Sequence, residues 1–128
     1  MGEIILDSSV VIAFFNPADK HHQAARTAVA NEVGRFKISI LSVTETLVRA
    51  AAVSEKTKLH FLSGLTKNFA PFYPFDAEVA SLAASVRAST GLGVPEAIIS
   101  ATATVAKATL WTCDARLAKL HKGARLIA

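Results

Sequence analysis

Residues 95–120, PEAIISATATVAKATLWTCDARLAKL, decide the fold class of this chain. Pro95 suits the first turn of a helix, and the small and apolar residues after it predict a helix that runs to about Ala106. The run TLWT, Thr109–Thr112, predicts a short strand, and DARLAKL predicts another helix. A helix, a strand and a helix in close succession indicate an α/β fold with a parallel sheet.

The rest of the chain continues this alternation. The predicted strands are Glu3–Leu6 (EIIL), Phe36–Ile40 (FKISI), Thr109–Thr112 and Ala124–Ile127 (ARLI), and the further predicted helices are 19–33, 42–53, 55–69 and 77–90. Gly34 and Gly91 follow two of these helices as C-caps would. The sequence therefore predicts a three-layer α/β fold, with a mostly parallel central sheet of about four to five strands flanked by helices.

Length and composition limit the classes of protein. A chain of 128 residues with 52% hydrophobic residues suits one globular domain, residues 1–128, with a sizeable core. No apolar run approaches the ~20 residues that cross a bilayer, and the start MGEIILD does not resemble a signal peptide. The single cysteine excludes an internal disulfide and fits the reducing cytoplasm. The net charge of +4 is a mild indication of a polyanionic partner.

Four of the ten acidic residues lie just after a predicted strand or in the first turn of a predicted helix. Asp7 follows the first strand directly, and Glu45 lies in the first turn after the second. Glu96 lies in the first turn of the helix quoted above, and Asp114 follows TLWT by two residues. Because ligands of parallel sheets bind beyond the carboxyl ends of the strands, these four side chains are expected to converge there.

Each carboxylate also has a purely structural interpretation, because acids cap helices and stabilise their first turns. Ser42 and Glu45 have the spacing of a capping box. Four neighbouring carboxylates, however, would repel one another and resist ionisation. We therefore expect Ser42 to be the cap, and Glu45 to point at the other acids.

A hard divalent cation would relieve this repulsion. Mg²⁺ and Mn²⁺ prefer carboxylate and water oxygens as ligands. A bound metal ion can activate a water molecule and stabilise charge on a phosphoryl group, which is the chemistry of phosphodiester hydrolysis. The four acids therefore predict a metal-dependent hydrolase site.

Three segments together resemble the PIN-domain family. They are IILDSSVVIAFF (4–15), ISILSVTETLVRA (38–50) and GLGVPEAIISATATVAKATLWTCDARL (91–117). In size and layout the chain resembles the VapC-like ribonuclease toxins of bacterial and archaeal toxin–antitoxin pairs. The resemblance places the family's first, second and last acids on Asp7, Glu45 and Asp114. It also implies supporting hydroxyl groups at Ser8 and Thr112.

The family's third acid falls on Glu96, where the usual residue is Asp. A glutamate carboxylate extends about 1.5 Å further on one more rotatable bond, so the metal geometry is expected to differ. The resemblance implies cleavage of single-stranded RNA with Mg²⁺ or Mn²⁺, a homodimer, and inhibition by a small antitoxin protein.

Arg49 and Arg116 each have two interpretations. Both are candidates for contact with RNA phosphates near the acids. Arg49 also lies four residues after Glu45, which is the spacing of an intrahelical ion pair worth ~0.2–0.5 kcal/mol.

Two alternative functions stay open. A phosphoryl-handling α/β protein, such as a receiver domain or a phosphatase, would use Asp7 as its acceptor, although the D-x-D pattern of haloacid-type phosphatases is interrupted by Ser9. A catalytically weak PIN domain would only bind RNA or protein, and Glu96 is the feature that favours this alternative.

Overall fold

The protein is described by a computed structural model that covers residues 2–128 and contains four strands and seven helices there. The strands are β1 (Glu3–Leu6), β2 (Arg35–Lys37), β3 (Thr109–Thr112) and β4 (Arg125–Leu126). The helices are α1 (Ser8–Phe15), α2 (His22–Ala30), α3 (Ile40–Val53), α4 (Glu55–Phe69), α5 (Ala77–Thr90), α6 (Val94–Ala106) and α7 (Ala115–Leu120). None of these helices is both long enough and apolar enough to span a membrane.

The four strands form one sheet in the order β2-β1-β3-β4, and every neighbouring pair is parallel. β1 and β3 are adjacent in the middle, with Leu6 opposite Trp111. The backbone N–H of Asp7 continues this pairing by donating to the carbonyl of Trp111 over 3.0 Å. The predicted parallel α/β fold is confirmed, and the carboxyl ends of β1 and β3 lie side by side.

Helices pack on both faces of the sheet because side chains along a strand alternate between its faces. Ile4 and Leu6 belong to one buried cluster, which includes Trp111 and residues from α1 to α4. Ile5 belongs to a second buried cluster with Leu110 and residues from α5, α6 and α7. The result is the predicted three-layer arrangement.

The elements around the quoted segment have the predicted bounds. α5 covers 77–90 and ends at Gly91, whose φ of 73° places it in the left-handed region that glycine tolerates. α6 contains Pro95 in its first turn, and β3 is the predicted strand Thr109–Thr112.

Three elements are shorter than predicted. α2 covers His22–Ala30 and is capped by Asn31, so Gly34 is not its C-cap. Gly34 instead packs against β1, where an added Cβ would lie 2.9 Å from Cδ1 of Ile4. β4 contains only Arg125–Leu126. β2 ends at Lys37, two residues after Arg35, and the prediction of a strand to residue 40 was wrong.

The start of α3 also differs from the prediction. Ile38 and Ile40 pair through their backbones with Tyr73, a residue distant in sequence. The helix begins at Ile40, two residues earlier than predicted, directly after this pairing. Its N-cap is Ser39, whose Oγ accepts a 3.1 Å hydrogen bond from the N–H of Leu41. Ser42 is buried inside the helix and its hydroxyl has no partner among the described residues. The prediction that Ser42 caps this helix was therefore wrong, and the cap is Ser39.

Candidate active site

The four predicted acids line one cleft at the carboxyl edge of the sheet. The cleft has a volume of about 290 Å³, and its lining residues are Asp7, Ser8, Ser9, Glu45, Pro95, Glu96 and Asp114. The ends of β1 and β3 supply two of the acids, and the N-terminal parts of α3 and α6 supply the other two. The convergence expected from a parallel sheet is thus present, although the catalytic role of these residues stays a prediction.

Asp7 lies deepest in this cleft, since only 9% of its surface is exposed. Two hydroxyl groups donate to the same carboxylate oxygen, Oδ2: Ser9 Oγ at 2.7 Å and Thr112 Oγ1 at 2.8 Å. Burial raises the pKa of Asp7 above its ordinary value, and the hydrogen bonds from Ser9 and Thr112 oppose that rise. The carboxylate is therefore held in one orientation at an energetic cost.

The direction of these two hydroxyl groups follows from their other partners. Thr112 Oγ1 accepts a 3.0 Å hydrogen bond from the N–H of Asp114. Ser9 Oγ accepts a 3.0 Å hydrogen bond from the N–H of Cys113. Because each oxygen already accepts a backbone hydrogen, its own hydrogen is free to point at Asp7.

Ser9 is the residue of this cleft that sequence reasoning missed. The Asp-Ser-Ser run contained a signal, because either serine could have reached the acid. The donor that orients Ser9 is Cys113, which is on another strand end, so the choice between the two serines depended on tertiary structure. Ser8 lies beside a different acid, Glu45, and lowers the pKa of that carboxyl group.

Glu45 points into the cleft and not at Ser42. Its carboxylate is half-buried, and its pKa is raised chiefly by burial. The negative charges of Asp7 and Glu96 raise it further, while the Ser8 hydrogen bond lowers it. Glu45 therefore lies within electrostatic reach of two of the other acids.

Asp114 serves as the N-cap of α7 as well as lining the cleft. Its Oδ1 accepts hydrogen bonds from the N–H groups of Arg116 at 2.9 Å and Leu117 at 3.2 Å. Its charge contributes to the raised pKa of Asp7. The capping and the cleft-lining interpretations of this residue are thus compatible, since the cap uses only one oxygen.

No basic side chain neutralises these acids within residues 2–128. The salt bridges found there join Arg35 to Glu3 and Lys58 to Glu55, both outside the cleft. Four uncompensated carboxylates, among which Asp7 and Glu45 have raised pKa values, fit a hard divalent cation in charge and in ligand chemistry.

The side chains do not form a ready-made chelating cluster. Across the described part of the chain, no three acidic, histidine or cysteine side chains are grouped closely enough to hold a metal ion. Mg²⁺ commonly retains several waters and uses one or two protein carboxylates directly. The cleft therefore fits such an ion through its donor set and its charge.

The two arginines lie outside this cleft. Arg49 is exposed and makes no salt bridge with Glu45, so the intrahelical pair is absent. It lines an apolar groove with residues such as Ile12 and Phe61. Arg116 is exposed and donates from its guanidinium to the carbonyl of Gly91 over 3.2 Å, which fastens the loop before α6.

Comparison with known proteins gives a family match and several structural matches. A family model for the PIN domain matches residues 4–123. No curated protein matches the sequence. FitAcB from Neisseria gonorrhoeae matches with a TM-score of 0.79 and 21% identity over 96% of both chains.

Two further solved structures are similar over nearly the full chain. DNA-bound VapBC from Salmonella typhimurium has a TM-score of 0.77 and 18% identity, and the match covers 98% of this chain and 97% of that one. VapBC-5 from Mycobacterium tuberculosis, a member of a family of toxin–antitoxin systems, has a TM-score of 0.67 and 21% identity over 97% and 94%. At these identities the matches show a common fold.

Proposed function

Because the chain belongs to the PIN-domain family, we propose that it is a metal-dependent endoribonuclease that cleaves single-stranded RNA. The observation that carries this proposal is the cleft lined by Asp7, Glu45, Glu96 and Asp114, which lack any basic partner among residues 2–128. Such a concentration of negative charge would repel the phosphates of RNA unless a cation were bound there. The ligand chemistry favours Mg²⁺ or Mn²⁺.

All four acids are proposed to hold that cation, one or two of them directly and the others through its bound waters. When bound, the ion supplies an activated water and stabilises the charge that develops on the phosphate. The chain itself supplies orientation, since Ser9 and Thr112 hold Oδ2 of Asp7. Ser8 lines the same cleft beside Glu45 and lowers its pKa.

A side-chain nucleophile is not part of this proposal. Burial raises the pKa of Cys113 to about 11, so the thiol stays protonated near neutral pH. Asp7 is buried and committed to two hydroxyl donors, which leaves it poorly placed to attack a phosphate. We therefore propose water as the nucleophile in phosphodiester cleavage.

RNA is attracted by charge outside the cleft. Outside the cleft the chain has six acidic residues and fourteen lysines and arginines. Once a cation neutralises the four cleft acids, the protein is therefore strongly basic. Arg49 is a proposed phosphate contact because it is exposed and free of Glu45. Arg116 is a second proposed phosphate contact. The carbonyl of Gly91 would compete with the RNA phosphate for its guanidinium.

The biological role proposed is that of the toxin in a type II toxin–antitoxin pair, acting in the cytoplasm. Support comes from the structures that share this fold, which include VapBC-5 and other toxin–antitoxin systems. On this proposal the partners are a small antitoxin and a second copy of the chain in a homodimer.

The alternative of a catalytically weak PIN domain is supported by the glutamate at position 96. Glu96 stands where PIN domains usually have Asp, so a catalytically weak PIN domain that only binds RNA or protein is the second candidate. The receiver and phosphatase alternatives lose their support, because the matching family is the PIN domain.

The test is chelator-sensitive cleavage of RNA. The protein, shown to be free of antitoxin, is incubated with single-stranded RNA and Mn²⁺, with EDTA, and with EDTA followed by excess Mn²⁺. An Asp7→Asn preparation made in parallel controls for contaminating nucleases. Cleavage that EDTA abolishes and Mn²⁺ restores supports the enzyme. RNA binding without any cleavage would favour the second candidate.

A further inference from the structure

The carboxylate of Glu96 lies directly over the α-carbon of Gly93, the N-cap residue of α6. A Cβ added at Gly93 would lie 3.2 Å from Oε1 of Glu96, 3.4 Å from Oε2 and 3.5 Å from Cδ. Contacts of this kind are at or below ordinary van der Waals separation. The bare α-carbon of residue 93 therefore provides the space that the glutamate head group occupies.

The backbone at Gly93 does not itself require glycine. Its φ of −59° and ψ of 161° are values that any residue adopts. Gly91, two residues earlier, differs because its φ is 73°. What glycine supplies at position 93 is therefore the absence of a side chain.

The loop that carries Gly93 is held from both sides. Arg87 of α5 donates to the carbonyl of Leu92 over 2.6 Å, and Arg116 of α7 donates to the carbonyl of Gly91 over 3.2 Å. A side chain at residue 93 would therefore press against Glu96 while the backbone stayed in place. The glutamate, with its rotatable bonds, is the partner that would move.

We propose that Gly93 is a positioning residue for Glu96, which lets the longer acid fold back so that its carboxylate stays in the cleft. Glu96 lines the cleft together with Asp7, Glu45 and Asp114, so the folded-back conformation keeps its carboxylate among the other acids. The extra methylene of glutamate is thus accommodated over residue 93. This inference rests on the proposed function, since it gives Glu96 its role as a metal ligand.

The test is a double-mutant cycle read by Mn²⁺ binding. Isothermal titration and the Mn²⁺-induced shift in melting temperature are measured for the wild type, Gly93→Ala, Glu96→Asp and the double variant. Melting temperatures in EDTA check folding, and Gly93→Ser is a second variant in which Ser restores a good N-cap. Gly93→Ala is expected to weaken Mn²⁺ binding about 10-fold when residue 96 is Glu.

In the Glu96→Asp background, Gly93→Ala is expected to alter Mn²⁺ binding by less than about 2-fold. That is the variation found between substitutions at sites that do not interact. The shorter acid no longer reaches over residue 93. Equal effects of Gly93→Ala in the two backgrounds would overturn the proposal. A crystal structure of Gly93→Ala with the Glu96 carboxylate unmoved would overturn it as well.

Failure of the proposed function would look different. Asp7→Asn is measured in the same titration, and its loss of Mn²⁺ binding shows that the cleft binds the ion. If Asp7→Asn binds Mn²⁺ as the wild type does, the metal site itself is wrong, and the inference about Gly93 is overturned with it. If only the coupling is missing, the metal site stands and the role of Gly93 is wrong.

Discussion

Thr112 Oγ1 donates a 2.8 Å hydrogen bond to Oδ2 of Asp7, which joins the carboxyl ends of β3 and β1. Thr112 is fully buried, and its oxygen in turn accepts the N–H of Asp114. One hydroxyl group thereby links the acid that ends β1 to the acid that follows β3. The geometry of the cleft depends on this link.

Thr112→Val removes that link with little change of shape. Because residues that orient metal ligands commonly contribute 10–100-fold, we expect Mn²⁺ affinity and kcat/KM to fall by roughly that factor. Thr112→Ser, which keeps the hydroxyl, is expected to retain most of both. Titration calorimetry and RNA cleavage measure the two quantities.

Thr102→Val is the matched control for this change. Thr102 is also fully buried, but its hydroxyl donates to the carbonyl of Ile98 within α6. If Thr112→Val and Thr102→Val lose activity equally, the Thr112 hydroxyl has no special role.

Asp7→Asn is expected to stabilise the metal-free protein while it abolishes Mn²⁺ binding. Burial raises the pKa of Asp7, so its negative charge opposes folding. An asparagine oxygen still accepts from Ser9 and Thr112 without that charge. Relief of functional strain commonly gives about 0.5–2 kcal/mol. Urea unfolding in EDTA measures the change, and a destabilised Asp7→Asn protein would contradict this account of the charge.

The metal-free protein is expected to lose stability as the pH rises. Asp7 and Glu45 have pKa values raised above 3.8 and 4.5, their ordinary values. The two protonated carboxyl groups contribute fully to folding stability when the pH is below their ordinary pKa values. That contribution is lost as the pH rises through their raised pKa values in the folded protein. A bound divalent cation stabilises the ionised carboxylates, so the stabilisation that the cation gives to the folded protein grows with pH. Unfolding in EDTA and in Mg²⁺ at a series of pH values tests this, and a constant difference would contradict it.

His121 is expected to give folding stability the opposite dependence on pH. Its Nδ1 lies 2.6 Å from Ser100 Oγ, and burial lowers the pKa of the imidazole below 6.5. The unfolded chain then binds the proton more readily, so stability falls as the pH drops below about 6.5. His121→Gln should remove this dependence and cost about 1 kcal/mol at neutral pH. Urea unfolding across that range measures both, and an unchanged pH slope in the variant would refute the assignment.

The sequence was sufficient to predict the fold where local signals agreed. α5, Gly91, Pro95 and β3 have the predicted positions, because capping chemistry and apolar runs indicate the same boundaries there. The convergence of the acids followed from the topology of a parallel sheet. These features depend on neighbours in sequence or on a general rule of architecture.

The failures came from contacts between distant residues. The predicted cap was Ser42, whereas the observed cap is Ser39, beside the backbone pairing of Ile38 and Ile40 with Tyr73. Likewise Ser8 and Ser9 are equivalent in sequence, and the N–H of Cys113 selects Ser9 as the donor to Asp7. No pattern within either segment contains that information.

The central claim is that the four cleft acids act together as one metal-dependent RNA-cleaving site. The most direct measurement is the rate of single-stranded RNA cleavage with Mn²⁺ for four single variants, Asp7→Asn, Glu45→Gln, Glu96→Gln and Asp114→Asn, beside a Glu3→Gln control from outside the cleft. We expect the cleavage rate to fall at least about 100-fold in each cleft variant and to change little in the control. Wild-type rates in the Asp7→Asn and Glu45→Gln proteins would contradict it.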